Sequence, residues 1–308
     1  MSISVHKLKG ILLPTTTPFD HNGQVSTTEI ASNITAWSAR GVIGFVVLGS
    51  TGERVHLDER EYLEVIEVSR SAIADDSVLI AGAGQQSTIG TIKEIKIAAR
   101  AGAEAVLVIT PYFYRPAITQ ETLVSYYTAV ADEAPLPVLL YSMPPLTGIK
   151  IEPETVAQLS EHPNIVGVKD SSNDIAGFRR TAELCPRDFA VMTGNGTVLL
   201  DALRAGATGG ILAVGCVVPE MCVEIFRLFT AGEEERADEL QSLLTPLAAA
   251  VTTKYGIGGL KAALDLAGYR GGSIRAPLRA PNDEARTAIE SLLQDVRMIF
   301  PQRRKGEK

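Results

Sequence analysis

A lysine closes an apolar strand in this chain, where propensity and hydropathy alone would not put one. The run Asn164-Ile165-Val166-Gly167-Val168-Lys169-Asp170-Ser171-Ser172 follows Pro163 with β-branched residues and ends in Lys169 and a polar turn. It reads as a short strand buried on both faces. An ammonium is costly to bury unless paired, and burial lowers its pKa toward the neutral, nucleophilic amine. Such an amine can condense with a ketone to a Schiff base. A plainer role is open too: the side chain can reach solvent, or pair with Asp170. Tyr141 ends another apolar run, Pro137-Val138-Leu139-Leu140-Tyr141. A phenol beside an amine can shuttle protons while a carbinolamine dehydrates and a carbon–carbon bond reacts. Gly49-Ser50-Thr51-Gly52 is a third candidate. Its backbone N–H groups and hydroxyls can form a nest for a carboxylate without a cationic side chain, or serve as an ordinary glycine-rich turn.

Composition narrows the possibilities. The 308 residues are 45% hydrophobic and 21% charged, and 29 Lys+Arg against 36 Asp+Glu leave a net charge of −7. An acidic balance argues against nucleic acid as a partner. No apolar run is long enough to span a membrane, and Met1–Lys9 lacks the apolar core of a signal peptide, so a soluble, cytoplasmic protein is expected. The three cysteines (Cys185, Cys216, Cys222) form no CxxC pair and suit reduced, packed thiols. His6, His21, His56 and His162 are scattered without metal-ligand spacing, so neither a metal nor another cofactor is expected.

The elements that must position these groups alternate along the chain. Strands are predicted over Gly10–Thr17, Val42–Leu48, Val78–Ala81, Ala105–Thr110, Pro137–Tyr141, Asn164–Lys169, Phe189–Thr193 and Gly209–Val214. Helices are predicted between them, with Ser26/Glu29 and Asp58/Glu61 at capping-box spacing. Arg40-Gly41, Arg100-Ala101-Gly102 and Arg204-Ala205-Gly206 repeat one junction, a basic last turn and then a glycine before a strand. Eight such units predict an α/β fold, a (β/α)8 TIM barrel over residues 1–218, whose strand ends form the site. From Pro219 only helical patterns follow: Met221–Thr230, Glu233–Lys254, Gly258–Ala267 and Asp283–Phe300. These define a C-terminal helical domain, 219–300, before a charged tail, 301–308.

Gly49-Ser50-Thr51-Gly52-Glu53, Tyr141 and Val166-Gly167-Val168-Lys169-Asp170 resemble, in order and at the right strands, the motifs of the dihydrodipicolinate synthase / N-acetylneuraminate lyase family, the class I pyruvate aldolases. The likeness runs over about residues 8 to 300. It implies that Lys169 forms the imine, that Tyr141 is the acid/base phenol, that Ser50 and Thr51 hold the pyruvate carboxylate, and that the backbone near Ile211 borders the pyruvyl group. It also implies a homotetramer, in which a neighbouring chain brings a second aromatic, Tyr112 or Tyr114, near the site. Gly194 and Asn195, after the seventh strand, are expected to face the rest of the substrate.

Within the family the chain is most similar to 4-hydroxy-2-oxoglutarate aldolases, at Leu140-Tyr141-Ser142, His162 to Gly167, Ala250 to Ile257, Gly259-Leu260-Lys261 and Arg275 to Leu278. Because much of that likeness lies in the helical extension, it is expected to speak of kinship more than of the substrate pocket. Dihydrodipicolinate synthases carry an arginine where Leu146 stands, a relay tyrosine where Phe113 stands and a threonine at Ser50. The resemblance thus implies a lyase joining or releasing pyruvate and an aldehyde, glyoxylate in the leading reading. The alternatives are aspartate semialdehyde, as in the synthases, and a sugar-derived 2-oxo acid for an aldolase or dehydratase. A non-catalytic binder of 2-oxo acids is the other class, supported by Phe113 and opposed by Lys169 and Tyr141 together. Glu53 is expected to be a helix-start or structural anchor, His56 a surface or packing residue, and Asp170 to cap or orient the turn that follows it.

Overall fold

Eight runs rich in Val, Ile, Leu, Ala and Gly form the strands β1 (Gly10–Pro14), β2 (Gly44–Val47), β3 (Val78–Ala83), β4 (Ala105–Ile109), β5 (Val138–Ser142), β6 (Ile165–Asp170), β7 (Ala190–Thr193) and β8 (Gly209–Ile211). The computed structural model describes residues 5–74 and 76–300; the expected tail, 301–308, lies outside them. All neighbouring strands pair in parallel, and β1 also pairs with β8, closing the barrel in chain order. Their near-continuous burial is what a sheet covered on both faces requires. Side chains including Leu12, Val46, Ile80, Leu107, Leu139 and Met192 fill the interior, so the barrel is a packed core rather than a pore.

Around it lie α1 (Thr27–Ser38), α2 (Glu59–Ala72), α3 (Thr88–Arg100), α4 (Gln120–Glu133), α5 (Pro144–Thr147), α6 (Pro153–Ser160), α7 (Ile175–Leu184) and α8 (Leu199–Arg204). Then follow α9 (Pro219–Thr230), which packs on β1 and α8, α10 (Glu234–Ala249), α11 (Gly256–Ala267) and α12 (Asp283–Ile299). The repeated junctions have the conformation their glycines suggest: Gly41, Gly102 and Gly206 sit at φ +77°, +97° and +104°, a left-handed region that disfavours other residues.

Four local expectations are corrected. The eighth strand stops at Ile211 instead of Val214, because the chain folds into a 3₁₀ turn, Ala213–Cys216. Trp37 Nε1 donates to Cys216 O (3.0 Å) and Cys216 Sγ donates to Pro14 O (3.2 Å), pinning that turn over β1. Ser26 does not cap α1 through its side chain; it sits at φ −95°, ψ 88° and its N–H donates to Pro18 O instead. Asp58, extended at φ −79°, ψ 179°, closes the full capping box with Glu61. The segment after β5, read as a loop, contains the helical turn α5, started by Pro144 and Pro145 and stopped by Gly148 at φ +67°. The helix expected over Glu233–Lys254 ends as α10 at Ala249 and continues as a wider π turn, Ala250–Lys254.

The C-terminal segment is tied to the barrel's helices by polar contacts. Arg275 donates to both carboxylate oxygens of Glu61 on α2, at 2.9 and 2.7 Å. Asn33 on α1 bonds the backbone of Arg270 in both directions, at 2.8 and 2.9 Å. The Arg275 guanidinium, with help from the Asp58 N–H, holds the Glu61 carboxyl below the usual range against the opposing effect of burial. A carboxyl lowered by folding contributes stability that is full above its ordinary value of 4.5 and is lost as pH falls through the lowered one. Glu61→Gln is therefore expected to be less stable than the wild type near neutral pH. The gap in urea midpoint should narrow as the buffer falls below pH 4.5; a gap that widens in acid would reject this role.

Candidate active site

Lys169 arrives at the C-terminal end of β6 in register with Tyr141 of β5 and Met192 of β7. It is 4% exposed, and its Nζ lies 4.4 Å from the centroid of the Tyr141 ring. No carboxylate among the described residues is within ion-pair distance of it. Asp170, one residue on, points to the other face of the strand and accepts from Ser172 N–H at 2.7 Å. It orients the turn, as expected, and leaves the amine unpaired. Gly194, after β7, makes room for this packing: a Cβ there would sit 2.7 Å from Lys169 Cε and 1.9 Å from Ser171 Oγ.

The Tyr141 hydroxyl and Ser50 Oγ are 2.9 Å apart, joining the end of β5 to the turn after β2. That turn is bracketed by left-handed residues, Leu48 at φ 59° and Glu53 at φ 55°. Non-glycine residues hold this conformation only where surroundings impose it, at a cost on the order of 1–3 kcal/mol each. Gly82 of β3 is one such surrounding: its missing side chain lets Leu48 O approach to where a Cβ would be only 2.1 Å away. Within the turn, Gly52 N–H and Arg54 N–H return to Gly49 O, and Glu53 N–H to Ser50 O. The N–H groups of Ser50 and Thr51 have no acceptor among the described residues and are available to an anion.

Glu53 holds the turn from below. Its carboxylate is 2.6 Å from Lys261 Nζ of α11, both side chains 1% exposed, and 3.1 Å from His56 Nδ1. Lys261 also donates to Ser273 O at 2.8 Å and lies over the Phe19 ring. Burial draws the Lys261 ammonium below its usual range while the Glu53 carboxylate opposes that shift. Glu53 is thus the anchor the sequence suggested, but its partner, 208 positions later in the chain, carries no signal in spacing.

Above Lys169 opens a cavity of about 590 Å³, within the usual range for small-molecule sites. Lys169, Tyr141, Ser50, Thr51, Gly194, Asn195 and Ile211 all line it, so every site residue read from sequence is brought together. Asn195 accepts from Thr197 N–H at 3.0 Å and donates to Asn173 Oδ1. The extension also contributes Val251, Thr252, Thr253, Gly256, Ile257 and Leu260. The expectation that likeness there would bear on kinship more than on the pocket is thereby corrected, because the π turn and the start of α11 form one wall. Ser171, Ser172 and Asn173 also line the cavity, with Met143 to Leu146 of the α5 turn; the three polar residues are legible in sequence only as the turn after Lys169. Phe113, 71% exposed, stacks edge to face on Tyr114 at 5.1 Å and does not line this cavity.

Cys216 and Cys222 are buried, which raises both thiols, Cys222 to about 12. Among the described residues no group of three His, Cys, Asp or Glu side chains is placed to hold a metal, and no helix is long and apolar enough to cross a membrane.

The sequence model of the Dihydrodipicolinate synthetase family matches residues 7–296. The 4-hydroxy-tetrahydrodipicolinate synthase of Syntrophus aciditrophicus is 33% identical over 291 residues, 94% of this chain and 99% of its own length. Dihydrodipicolinate synthase DapA-2 from Bacillus anthracis superposes with a TM-score of 0.90 at 30% identity, covering 96% of this chain and 99% of the other. YagE, a prophage protein of the dihydrodipicolinic acid synthase family from E. coli K12 solved in complex with pyruvate, superposes at 0.87 and 27% identity, over 94% and 98% of the two chains.

The Glu53–Lys261 pair gives the site a measurable dependence on α11. Lys261→Met leaves a buried carboxylate without its counter-charge and is expected to cost about 3–5 kcal/mol in chemical denaturation. The double variant Glu53→Leu/Lys261→Met should recover most of that loss. A double variant no more stable than Lys261→Met would show that the loss does not come from the stranded charge.

Proposed function

The chain belongs to the dihydrodipicolinate synthetase family, whose members are class I lyases that condense pyruvate with an aldehyde, and on that footing we propose that Lys169 is its imine-forming residue. The observation that carries this reading is a buried amine without a carboxylate partner, 4.4 Å from the Tyr141 ring, at the floor of an open cavity.

In the cleavage direction the Lys169 amine adds to C2 of a 4-hydroxy-2-oxo acid, and loss of water gives the iminium. Removal of the C4 hydroxyl proton then lets the C3–C4 bond break. Its electron pair moves into the iminium, releasing the aldehyde and leaving an enamine. Protonation at C3 and attack by water release pyruvate and restore the amine. Tyr141, hydrogen-bonded to Ser50, is suited to relay the C4 proton. The free N–H groups of Ser50 and Thr51 suit the substrate's C1 carboxylate, and Ile211 closes the pyruvyl side. Condensation is the same sequence reversed.

The name 4-hydroxy-tetrahydrodipicolinate synthase on the curated relatives supports the alternative, pyruvate with aspartate semialdehyde, better than the leading reading, 4-hydroxy-2-oxoglutarate. Against it stands Leu146, 65% exposed, at the position of the synthases' arginine. The homotetramer expected from the resemblance draws support from a second cavity, of about 340 Å³, on the other side of Tyr141. It is lined by Leu48, Ile109, Tyr112, Leu146 and Leu278, and the exposed rings of Phe113 and Tyr114 lie on the same chain. An aromatic side chain from a second copy would fill it.

Borohydride added with pyruvate should trap a covalent adduct, and peptide mass spectrometry should locate it on Lys169. An adduct elsewhere, or none, would end this mechanism. Tyr141→Phe is expected to keep the adduct while turnover falls by about 10²–10⁴-fold, the usual worth of a positioned proton-transfer group.

A further inference from the structure

We infer that Lys261 is a positioning residue for the pyruvate carboxylate, setting through Glu53 how well the Ser50–Thr51 turn binds it. The inference rests on the imine reading above and concerns affinity, separately from folding.

Three backbone bonds shape the turn, Gly52 N–H and Arg54 N–H to Gly49 O and Glu53 N–H to Ser50 O. All three are local, so they fix its form and leave its placement to contacts from other parts of the chain. Thr17 Oγ1 supplies one, donating to Gly52 O at 2.7 Å. The Glu53 carboxylate supplies another. Of its two partners, His56 Nδ1 at 3.1 Å belongs to the same loop, whereas Lys261 Nζ at 2.6 Å comes from α11.

Lys261 is itself fixed. Its Nζ donates to Ser273 O at 2.8 Å and lies 4.4 Å from the centroid of Phe19, a ring shared with the Arg275 guanidinium at 4.1 Å. Ser273 N–H in turn donates to Phe19 O at 2.7 Å. Gly271 lets the same segment come so near α11 that a Cβ there would lie 2.1 Å from Lys261 O. A cation held in this way is a rigid stop for a carboxylate.

Stability alone does not call for a buried ion pair here, since a well-packed apolar pair of similar volume holds a fold as well or better. Apolar contact is non-directional, however. Glu53 sits at φ 55°, where a non-glycine residue stays only while its surroundings impose it. The turn it closes has to place two free N–H groups and Ser50 Oγ together, the latter 2.9 Å from the Tyr141 hydroxyl. A misplacement of about 1 Å is enough to spoil such an alignment without unfolding anything.

The test uses the full-length protein. Borohydride trapping is run across a range of pyruvate and, in parallel, of methyl pyruvate, which keeps the ketone and lacks the carboxylate. The trapped fraction gives a half-saturating concentration for each. In Glu53→Leu/Lys261→Met, the variant expected to recover its stability, the pyruvate value should rise about 10–100-fold, roughly the worth of one hydrogen bond to a charged group, while the methyl pyruvate value moves by less than about threefold. At saturating pyruvate the adduct should still form on Lys169. Glu61→Gln, whose bonds go to Arg275 and Asp58 rather than to the turn, should keep both values within about twofold of the wild type. If the double variant does not fold, Glu53→Gln, which keeps the side chain's size and removes its charge, is expected to raise the pyruvate value alone by at least about threefold. A folded variant with an unchanged pyruvate value, two values that rise together, or an equal rise in Glu61→Gln would overturn the inference. No adduct in the wild type counts against the imine reading itself, and equal wild-type values for the two ketones count against the Ser50–Thr51 turn as the carboxylate site.

Discussion

Among the described residues two lysines are buried, Lys169 at the end of β6 and Lys261 in α11, and only Lys261 is given a counter-charge. Lys169 and Lys261 each hold their ammonium nitrogen 4.4 Å from an aromatic centroid, Tyr141 for one and Phe19 for the other. Lys261 has in addition a carboxylate at 2.6 Å and a backbone carbonyl at 2.8 Å. Lys169 has neither. A buried ammonium with a full set of partners is held charged and works as a strut. One with only a ring beside it keeps its nitrogen clear of a salt-bridge partner and facing the cavity. The structure keeps carboxylates away from Lys169, and Asp170 shows how close to failing that is. It is the adjacent residue, and alternation along β6 with a bond to Ser172 N–H keeps its charge elsewhere.

Closure of the barrel turns this local chemistry into a site. Parallel pairing sets Ile109, Tyr141, Lys169 and Met192 side by side on four consecutive strands, so the phenol and the amine meet through register and need no loop to find each other. The turn after β2 is different, since it carries two left-handed non-glycine residues and would relax if left alone. Gly82 below it, Thr17 donating to Gly52 O at 2.7 Å, and the Glu53–Lys261 pair hold it in the form that exposes the Ser50 and Thr51 N–H groups. The conformational cost is met by tertiary contacts from β3, from the segment after β1, and from α11.

These differences explain what could be read from the residues alone. The eight strands, the glycine-stopped junctions and the Asp58 capping box rest on local physics, periodicity and capping, and each could be placed to within a few residues. Lys169, Tyr141, Ser50 and Thr51 could be picked out because barrel sites sit at strand ends, which makes position along the chain a proxy for position in space. Ser26 failed as a side-chain cap because a tertiary bond to Pro18 fixed its backbone. The eighth strand was overextended because Leu212-Ala213-Val214 is apolar enough to continue, and only contacts from Trp37 and Cys216 turn it aside. The lysine partner of Glu53 was illegible for a related reason: Lys261 sits in a helix whose pattern fits any amphipathic surface, and only docking buries it.

The same reasoning separates the constant part of the site from the part that selects. The proposed imine chemistry would use groups at the ends of β5 and β6, fixed by the sheet, and the turn after β2, held by tertiary contacts. The rest of the cavity is lined by the turns after β6 and β7, by α5, and by the wall formed by Ala250–Lys254 and the start of α11. Pro246 lies inside α10 and the π turn begins only four residues later. That wider turn brings Val251, Thr252 and Thr253 to the cavity; π turns recur at functional sites for this kind of reason. α11 then does two things with one rigid body. Its first residues line the cavity, and Lys261, one turn further on, holds the turn after β2 through Glu53. A change that shifts α11 to reshape the selecting wall must therefore also disturb the Glu53 anchor. On the proposed reading, the substrate's distal half and its C1 carboxylate would be read by parts of the protein joined through α11.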